Sequence, residues 1–169
     1  LTSPKPQRTG SPMRALIHRV GEASITVDQK EISRIGKGIL VLLGVGRRDT
    51  REDAEYLLDK IIHLRIFEDA EGKMNLSLLE TGGELLVVSQ FTLWADCRKG
   101  RRPSFTDAAD PQAARDLYRY FVETARARMN RVREGEFQAM MKVRLVNDGP
   151  VTILLDSEAL RVGGLRPAG

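Results

Sequence analysis

The sequence predicts a single α+β domain. Three observations carry this expectation. Strand-like apolar segments outnumber the two long helical patterns. Helices do not follow every strand, as they would in a doubly wound parallel fold. No linker or internal repeat divides the 169 residues, a length that suits one domain.

The elements follow in order. Residues 1–12 hold three prolines and almost no apolar side chain, so they read as a disordered leader. Lys5 and Arg8 without an acid give a faint likeness to a transit peptide, but no apolar stretch of a secretory signal is present. Folding is expected to begin at Met13. Ala15, Ile17, Val20, Ile25 and Val27 alternate as a strand, with Gly21-Glu22 as a turn or bulge. Ile39 to Leu43 is an unbroken apolar run between glycines, a buried strand. Asp49-Thr50 opens a helix whose stripe is Ala54, Leu57, Leu58, Ile61, Ile62 and Arg65. Glu68 to Gly72 is a turn, and Leu85 to Val88 is a second buried strand. Asp110-Pro111 starts a long helix with a side-chain cap and proline in its first turn. Its stripe runs from Ala114 to Met129, and Gly135 is expected to end it. Met141, Val143 and Leu145 alternate as a strand, Asn147 to Pro150 breaks the chain, and Val151 to Leu155 is the last strand. Residues 13–158 thus form the domain, and 159–169 read as a frayed tail.

Bulk properties narrow the function classes. Hydrophobic residues are 41% and charged residues 30%, the balance of a soluble protein, and no apolar run approaches the ~20 residues of a membrane span. The net charge of +4 and pI near 9.5 permit an anionic partner such as RNA. Cys97 is the single cysteine, so an intrachain disulfide and a C-x-x-C metal knuckle are both excluded. There is neither an H-E-x-x-H metal motif, nor a G-x-G-x-x-G turn, nor a P-loop. No metal and no cofactor is expected.

Three stretches hold more polar or conformationally special residues than a core requires. Ser89-Gln90-Phe91-Thr92-Leu93 follows the second buried strand, where freed backbone N–H groups can stabilise an oxyanion. Asp96 to Phe105 concentrates Arg98, Lys99, Arg101 and Arg102 on a Gly/Pro-containing loop that can hold phosphates. Asn147-Asp148-Gly149-Pro150-Val151-Thr152 places Gly-Pro between strands, where a backbone without Cβ lets a ligand come close. No base is visible for a serine or threonine nucleophile. His18 and His63 both stand far in sequence from Ser89, Thr92 and Thr152, and no triad is announced.

Two of these stretches carry a family resemblance. Ser89-Gln90-Phe91-Thr92-Leu93 resembles the Ser-Gln-x-x-Leu motif of the D-aminoacyl-tRNA deacylases, and Asn147 to Thr152 resembles their Asn-x-Gly-Pro-x-Thr motif. Met13 to Val20, Gly72 to Asn75 and Arg102 to Phe105 are similar as well, and the order is kept from about Met13 to Ser157. The resemblance implies a partly closed β-barrel with two main flanking helices, forming a homodimer with the active site at its interface. It implies hydrolysis of D-aminoacyl-tRNA, with tRNA bound by its 3′-aminoacyl-adenosine end. Ser89, Gln90, Phe91 and Thr92 would serve catalysis. Gly149 and Pro150, joined by a cis bond, would be a chiral filter whose carbonyls exclude L-amino acids. Arg19 would brace that pair, Phe137 and Met141 would wall the site, and Thr152 would join the substrate side. Glycine has no side chain to reject, so glycyl-tRNA, as on tRNA-Ala, is expected to be accepted. Catalysis by the tRNA 2′-OH is preferred over Thr92 as nucleophile, and the setting is cytoplasmic translation quality control without a membrane. An inactive RNA-binding module of the same fold and a small-molecule esterase are the rival readings.

The chain departs from the pattern in places. Gly135-Glu136-Phe137-Gln138-Ala139-Met140-Met141 puts Gln138 at a small-residue position and Met140 at an acidic one, and His18 stands where Gln is common.

Overall fold

The computed structural model describes residues 12–161. The expected leader, apart from Pro12, and the expected tail from residue 162 lie outside the described residues. The elements run β1 (Arg14–Val27), β2 (Lys30–Ile35), β3 (Gly38–Gly44), α1 (Arg51–His63), β4 (Phe67–Glu68), β5 (Met74–Leu76), α2 (Leu78–Thr81) and β6 (Glu84–Ser89). A 3₁₀ turn (Phe91–Trp94), α3 (Pro111–Arg128), β7 (Val132–Glu134), β8 (Lys142–Asp156) and α4 (Glu158–Arg161) follow.

β1 is the hub of one mixed sheet. On one edge its first half pairs antiparallel with β3 and its second half with β2; on the other edge it pairs with β8 from Arg14 to Thr26. β3 pairs with β6, and β6 with β7, in parallel. β2 then curls back to β7, where the Ser33 hydroxyl donates to the Glu134 carbonyl. The sheet is thereby a nearly closed barrel.

This geometry explains the unbroken apolar runs. Ile39, Val41 and Leu43 of β3, with Leu85 and Val87 of β6, face α1 and α3 and pack on Leu57, Leu58, Ile61, Phe121 and Val122. Leu40, Leu86 and Val88 point the other way, into a second core with Val20, Ala23, Ile25 and Ile35. Successive residues of a strand face opposite sides, so a strand covered on both faces has no polar position.

Both long helices start where their caps predict. The buried Asp53 carboxylate accepts the Thr50 N–H at 2.8 Å and the Ser157 hydroxyl at 2.6 Å, and Ser157 Oγ accepts the Met13 N–H at 3.0 Å. The first turn of α1 thus ties together β1's start and β8's end. Asp110 accepts the Gln112 and Ala113 N–H groups, each at 3.1 Å, with Pro111 leading the helix.

Several expected boundaries move. Helix α3 stops at Arg128, well before Gly135, because Val132–Glu134 leaves to pair with β6. Arg65 lies past the end of α1 and instead donates to the Asn75 carbonyl at 2.9 Å. Of the two alternatives at Gly21-Glu22, the bulge fits and the turn does not: β1 continues through it, and the register with β8 shifts between His18 and Glu22. Asn147 to Pro150 does not separate two strands either, since β8 runs through it at those same register shifts. The short α4 begins the segment expected as tail.

Candidate active site

The Ser89–Thr92 stretch is a rigid strand-end turn. Ser89 lies opposite Leu43, and the Gln90 N–H donates to the Leu43 carbonyl at 2.8 Å. The chain then winds once, with Leu93 N–H donating to Gln90 O (3.3 Å) and Ala95 N–H to Thr92 O (3.1 Å). A helix start leaves its first N–H groups without internal acceptors. Here those are Phe91 and Thr92, whose amides have no acceptor among the described residues. Trp94, 2% exposed, anchors the turn from below. It lies so near Gly46 that a Cβ there would sit 2.5 Å from its ring. Arg14 stacks on this anchor, 4.5 Å from the ring centroid, and donates to the Leu93 carbonyl at 2.7 Å. Above, Phe91 is 56% exposed and Thr92 is also exposed. The Thr92 hydroxyl accepts a hydrogen bond from the Gln90 amide, and among the described residues it has no titratable partner.

Phe137 and Met141 belong to the same side. Phe137 stacks on Tyr118 at 5.7 Å, and the Tyr118 hydroxyl donates to Val87 O of β6. Burial raises the Tyr118 phenol well above its ordinary value, beyond use as an acid or base at neutral pH, so this hydroxyl is a strut. Met141 packs into the barrel core, its sulfur facing Gly135. Met140, at the acidic position of the pattern, is 92% exposed.

Gly149 and Pro150 form the second cluster. Their peptide bond is cis, and both residues are exposed. Arg19, 7% exposed, lies behind them. Its Nε donates to the Asp148 carbonyl and its Nη1 to the Ile66 carbonyl, each at 2.8 Å. A Cβ on Gly149 would come within 3.1 Å of Arg19 Nη2 and 2.8 Å of Val151 Cγ2, and φ of +139° disfavours a side chain as well. The Asn147 side chain clips the loop: Oδ1 accepts the Val151 N–H (2.8 Å) and Nδ2 donates to Thr152 Oγ1 (2.8 Å).

One partnership escaped the sequence. His18 pairs with Thr152 across β1 and β8, and its Nδ1 lies 2.9 Å from Thr152 Oγ1. A hydroxyl and an imidazole do meet, but beside Gly149-Pro150 and not at Thr92. Partial burial lowers the His18 pKa, favouring the neutral ring that can accept the threonine proton. The signal was the strand register, which cannot be read across 134 residues.

The register also separates the two clusters within one chain. Ser89 is level with Leu43, Ala15 and Leu155, while Pro150 falls in the irregular stretch of β8 opposite Arg19, between the His18–Thr152 and Val20–Asn147 pairs. Four residues along β1 and three strand spacings put them roughly 20 Å apart, from ~3.3 Å per residue and ~4.8 Å per strand. Among the described residues no group of three or more His, Cys, Asp or Glu could hold a metal ion. No described helix is long and apolar enough to cross a membrane.

Fold and turns define an α+β barrel whose special groups are backbone amides, hydroxyls and a braced Gly-Pro pair instead of a charged triad. Residues 16–156 match the family described as D-Tyr-tRNA(Tyr) deacylase. The chain belongs to that family. A D-aminoacyl-tRNA deacylase of Thermosipho melanesiensis is 60% identical over 147 residues, spanning 86% of this chain and 98% of the relative. One of Clostridioides difficile is 58% identical over 145 residues, spanning 86% and 97%. Among solved structures, the c-Myc DNA unwinding element binding protein superposes with a TM-score of 0.81 at 42% identity, covering 84% of this chain and 97% of that one. A probable eukaryotic D-amino acid tRNA deacylase, at 23% identity and a TM-score of 0.70 over 85% and 98%, shares the fold.

Proposed function

We propose that the chain is a D-aminoacyl-tRNA deacylase, a hydrolase that cleaves the ester between a D-amino acid and the tRNA 3′ end. The family match over residues 16–156 carries this reading. The 3′-adenosine lies against the exposed Phe91, and the ester carbonyl points at the free Phe91 and Thr92 N–H groups. Water adds to the carbonyl carbon, the oxyanion is held by those two amides, and the ester C–O bond breaks to release the tRNA hydroxyl. Thr92 has Gln90 as its neighbour and no base. The neighbouring ribose 2′-OH therefore takes the proton-handling role that a triad histidine would supply.

Enantiomer choice comes from exclusion. Gly149 and Pro150 present backbone where an L side chain would project, and Arg19 keeps them from yielding. A site that rejects by clash admits a substrate with no side chain, so glycyl-tRNA, including glycine mischarged on tRNA-Ala, is also cleaved. The ~20 Å between Ser89 and Pro150 in one chain supports a pocket completed by a second copy, with Gly149-Pro150 of one protomer facing Ser89–Thr92 of the other. Exposed Leu154 and Val146 on β8 suit such a contact. The setting that fits this substrate is cytoplasmic translation quality control.

The test is paired hydrolysis of D- and L-tyrosyl-tRNA, with glycyl-tRNA alongside. D and glycyl esters should be cleaved at least 100-fold faster than the L ester, a difference of about 2.7 kcal/mol in barrier. Equal rates for both enantiomers, or no cleavage of either, would reject the reading.

A further inference from the structure

The loop that leaves the 3₁₀ turn has no part in the chemistry above, yet it holds four cations in five residues: Arg98, Lys99, Arg101 and Arg102. Its stem is closed by reciprocal backbone bonds, Asp96 N–H to Ser104 O (2.8 Å) and Ser104 N–H to Asp96 O (3.0 Å). One residue, Ala95, separates that stem from the turn, and just past it Phe105 meets Phe91 edge-on at 5.0 Å. The loop is therefore fastened to the turn that carries Phe91 and Thr92.

Its charges divide unequally. Arg98 is used internally: its guanidinium grips both Asp96 oxygens, at 2.9 and 2.7 Å, and holds that carboxyl down to about 2. Asp96 is thereby neutralised and the loop shaped. Lys99, Arg101 and Arg102 are exposed, and among the described residues none of them has an ion-pair partner. Arginines near the end of α3 are used differently, because Arg126, Arg128 and Arg131 are each paired with an acid, Glu134, Asp59 and Glu84. Three unpaired cations on a pinned loop are a phosphate-binding arrangement. The tip at Gly100 is four residues from either stem residue, at most ~14 Å away. That reach spans only a few nucleotides of a strand whose end lies at Phe91.

We propose that Lys99, Arg101 and Arg102 clamp the backbone phosphates of the single-stranded RNA leading to the 3′-aminoacyl end, placing the ester by charge and not by sequence. The identity of the RNA rests on the deacylase reading; the phosphate clamp does not rest on activity. The test compares the wild type with the triple variant Lys99→Gln/Arg101→Gln/Arg102→Gln. Binding of uncharged tRNA is followed from low to moderate salt, and hydrolysis of the D-tyrosine ester of adenosine, which has no phosphate, is measured beside it. Each phosphate released from single strands contributes about −0.7 to the slope of log K against log salt, so the variant's slope should be shallower by roughly 2. Arg102→Gln alone should lose about 0.7. The adenosine ester should be hydrolysed by wild type and variant alike. An unchanged salt slope in a folded variant overturns the clamp. So does a parallel loss on the adenosine ester, which would make the loop a wall of the pocket. If the wild type cleaves no D-ester at all, the deacylase reading fails while the salt slope still decides the clamp.

Discussion

Arg19 is a buried guanidinium that bridges two carbonyls 82 residues apart, those of Ile66 and Asp148. A planar fork can reach both at once; a lysine ammonium on a flexible stem cannot hold the same geometry. Arg19→Lys should therefore fold with a loss of about 1–3 kcal/mol, for one buried carbonyl left unpaired. It should also raise L-tyrosyl-tRNA cleavage at least tenfold while D cleavage is largely kept. Thermal melts and the D-to-L ratio of kcat/KM read the two effects; an unchanged ratio would dismiss the brace. His18 offers a second check. Its folded pKa is lowered by partial burial, so just below 6.5 the unfolded chain binds more protons than the folded one. The His18–Thr152 bond then contributes fully above pH 6.5 and weakens as pH falls through that value toward the folded pKa. An imidazole titration by NMR should have its midpoint below 6.5; a midpoint at or above 6.5 would mean that burial does not favour the neutral ring.

Between elements, the β7–β8 connection holds a residue at odds with its backbone. Gln138 has φ of +65°, where a side chain costs about 1–2 kcal/mol, and the 3.1 Å bond from Arg115 to its exposed amide returns little of that. Gln138→Gly should raise stability by about 0.5–1 kcal/mol, glycine's larger unfolded-state entropy offsetting part of the relief, whereas Gln138→Ala, keeping its Cβ, should not. Denaturant melts of the two variants decide it, and equal stability would remove the strain. How legible each element was follows from similar local causes. α1 and α3 were visible because Thr50 and Asp110 cap them and their stripes are long. β3 and β6 were visible because two cores cover both faces. β2, Lys-Glu-Ile-Ser-Arg-Ile, and the three-residue β7 are too polar or too short to show a period; partners β1 and β6 create them. The turn after Ser89 and the irregular stretch of β8 at Gly149 could be found as local motifs. Their separation, and the meeting of His18 with Thr152, depend on register and could not.

At the scale of the molecule, the Leu154 and Val146 variants test whether one chain makes a complete site. β8 pairs with β1 along one edge only, and its outward side chains include Leu154 at 62% exposure and Val146 at 52%. Isolated apolar residues on a surface are ordinary, but here they share a strand with the Gly149-Pro150 pair. A two-fold contact through this strand would bring each protomer's pair toward its partner, and a self-complementary patch does this twice by symmetry. Leu154→Arg would place a charge at that contact in each protomer, so two charges would be buried without partners. The variant should keep its far-UV spectrum, sediment as a monomer, and lose at least 100-fold in D-tyrosyl-tRNA cleavage, although Leu154 is level with neither Ser89 nor Pro150 in the sheet. Val146→Arg, on the same strand, should behave alike. If a folded monomer of either variant cleaved the D ester at the wild-type rate, the site would have to lie within one chain. Ser89–Thr92 would then act without Gly149-Pro150, and the origin of enantiomer choice would have to be sought among Phe91, Phe137 and Met141 instead.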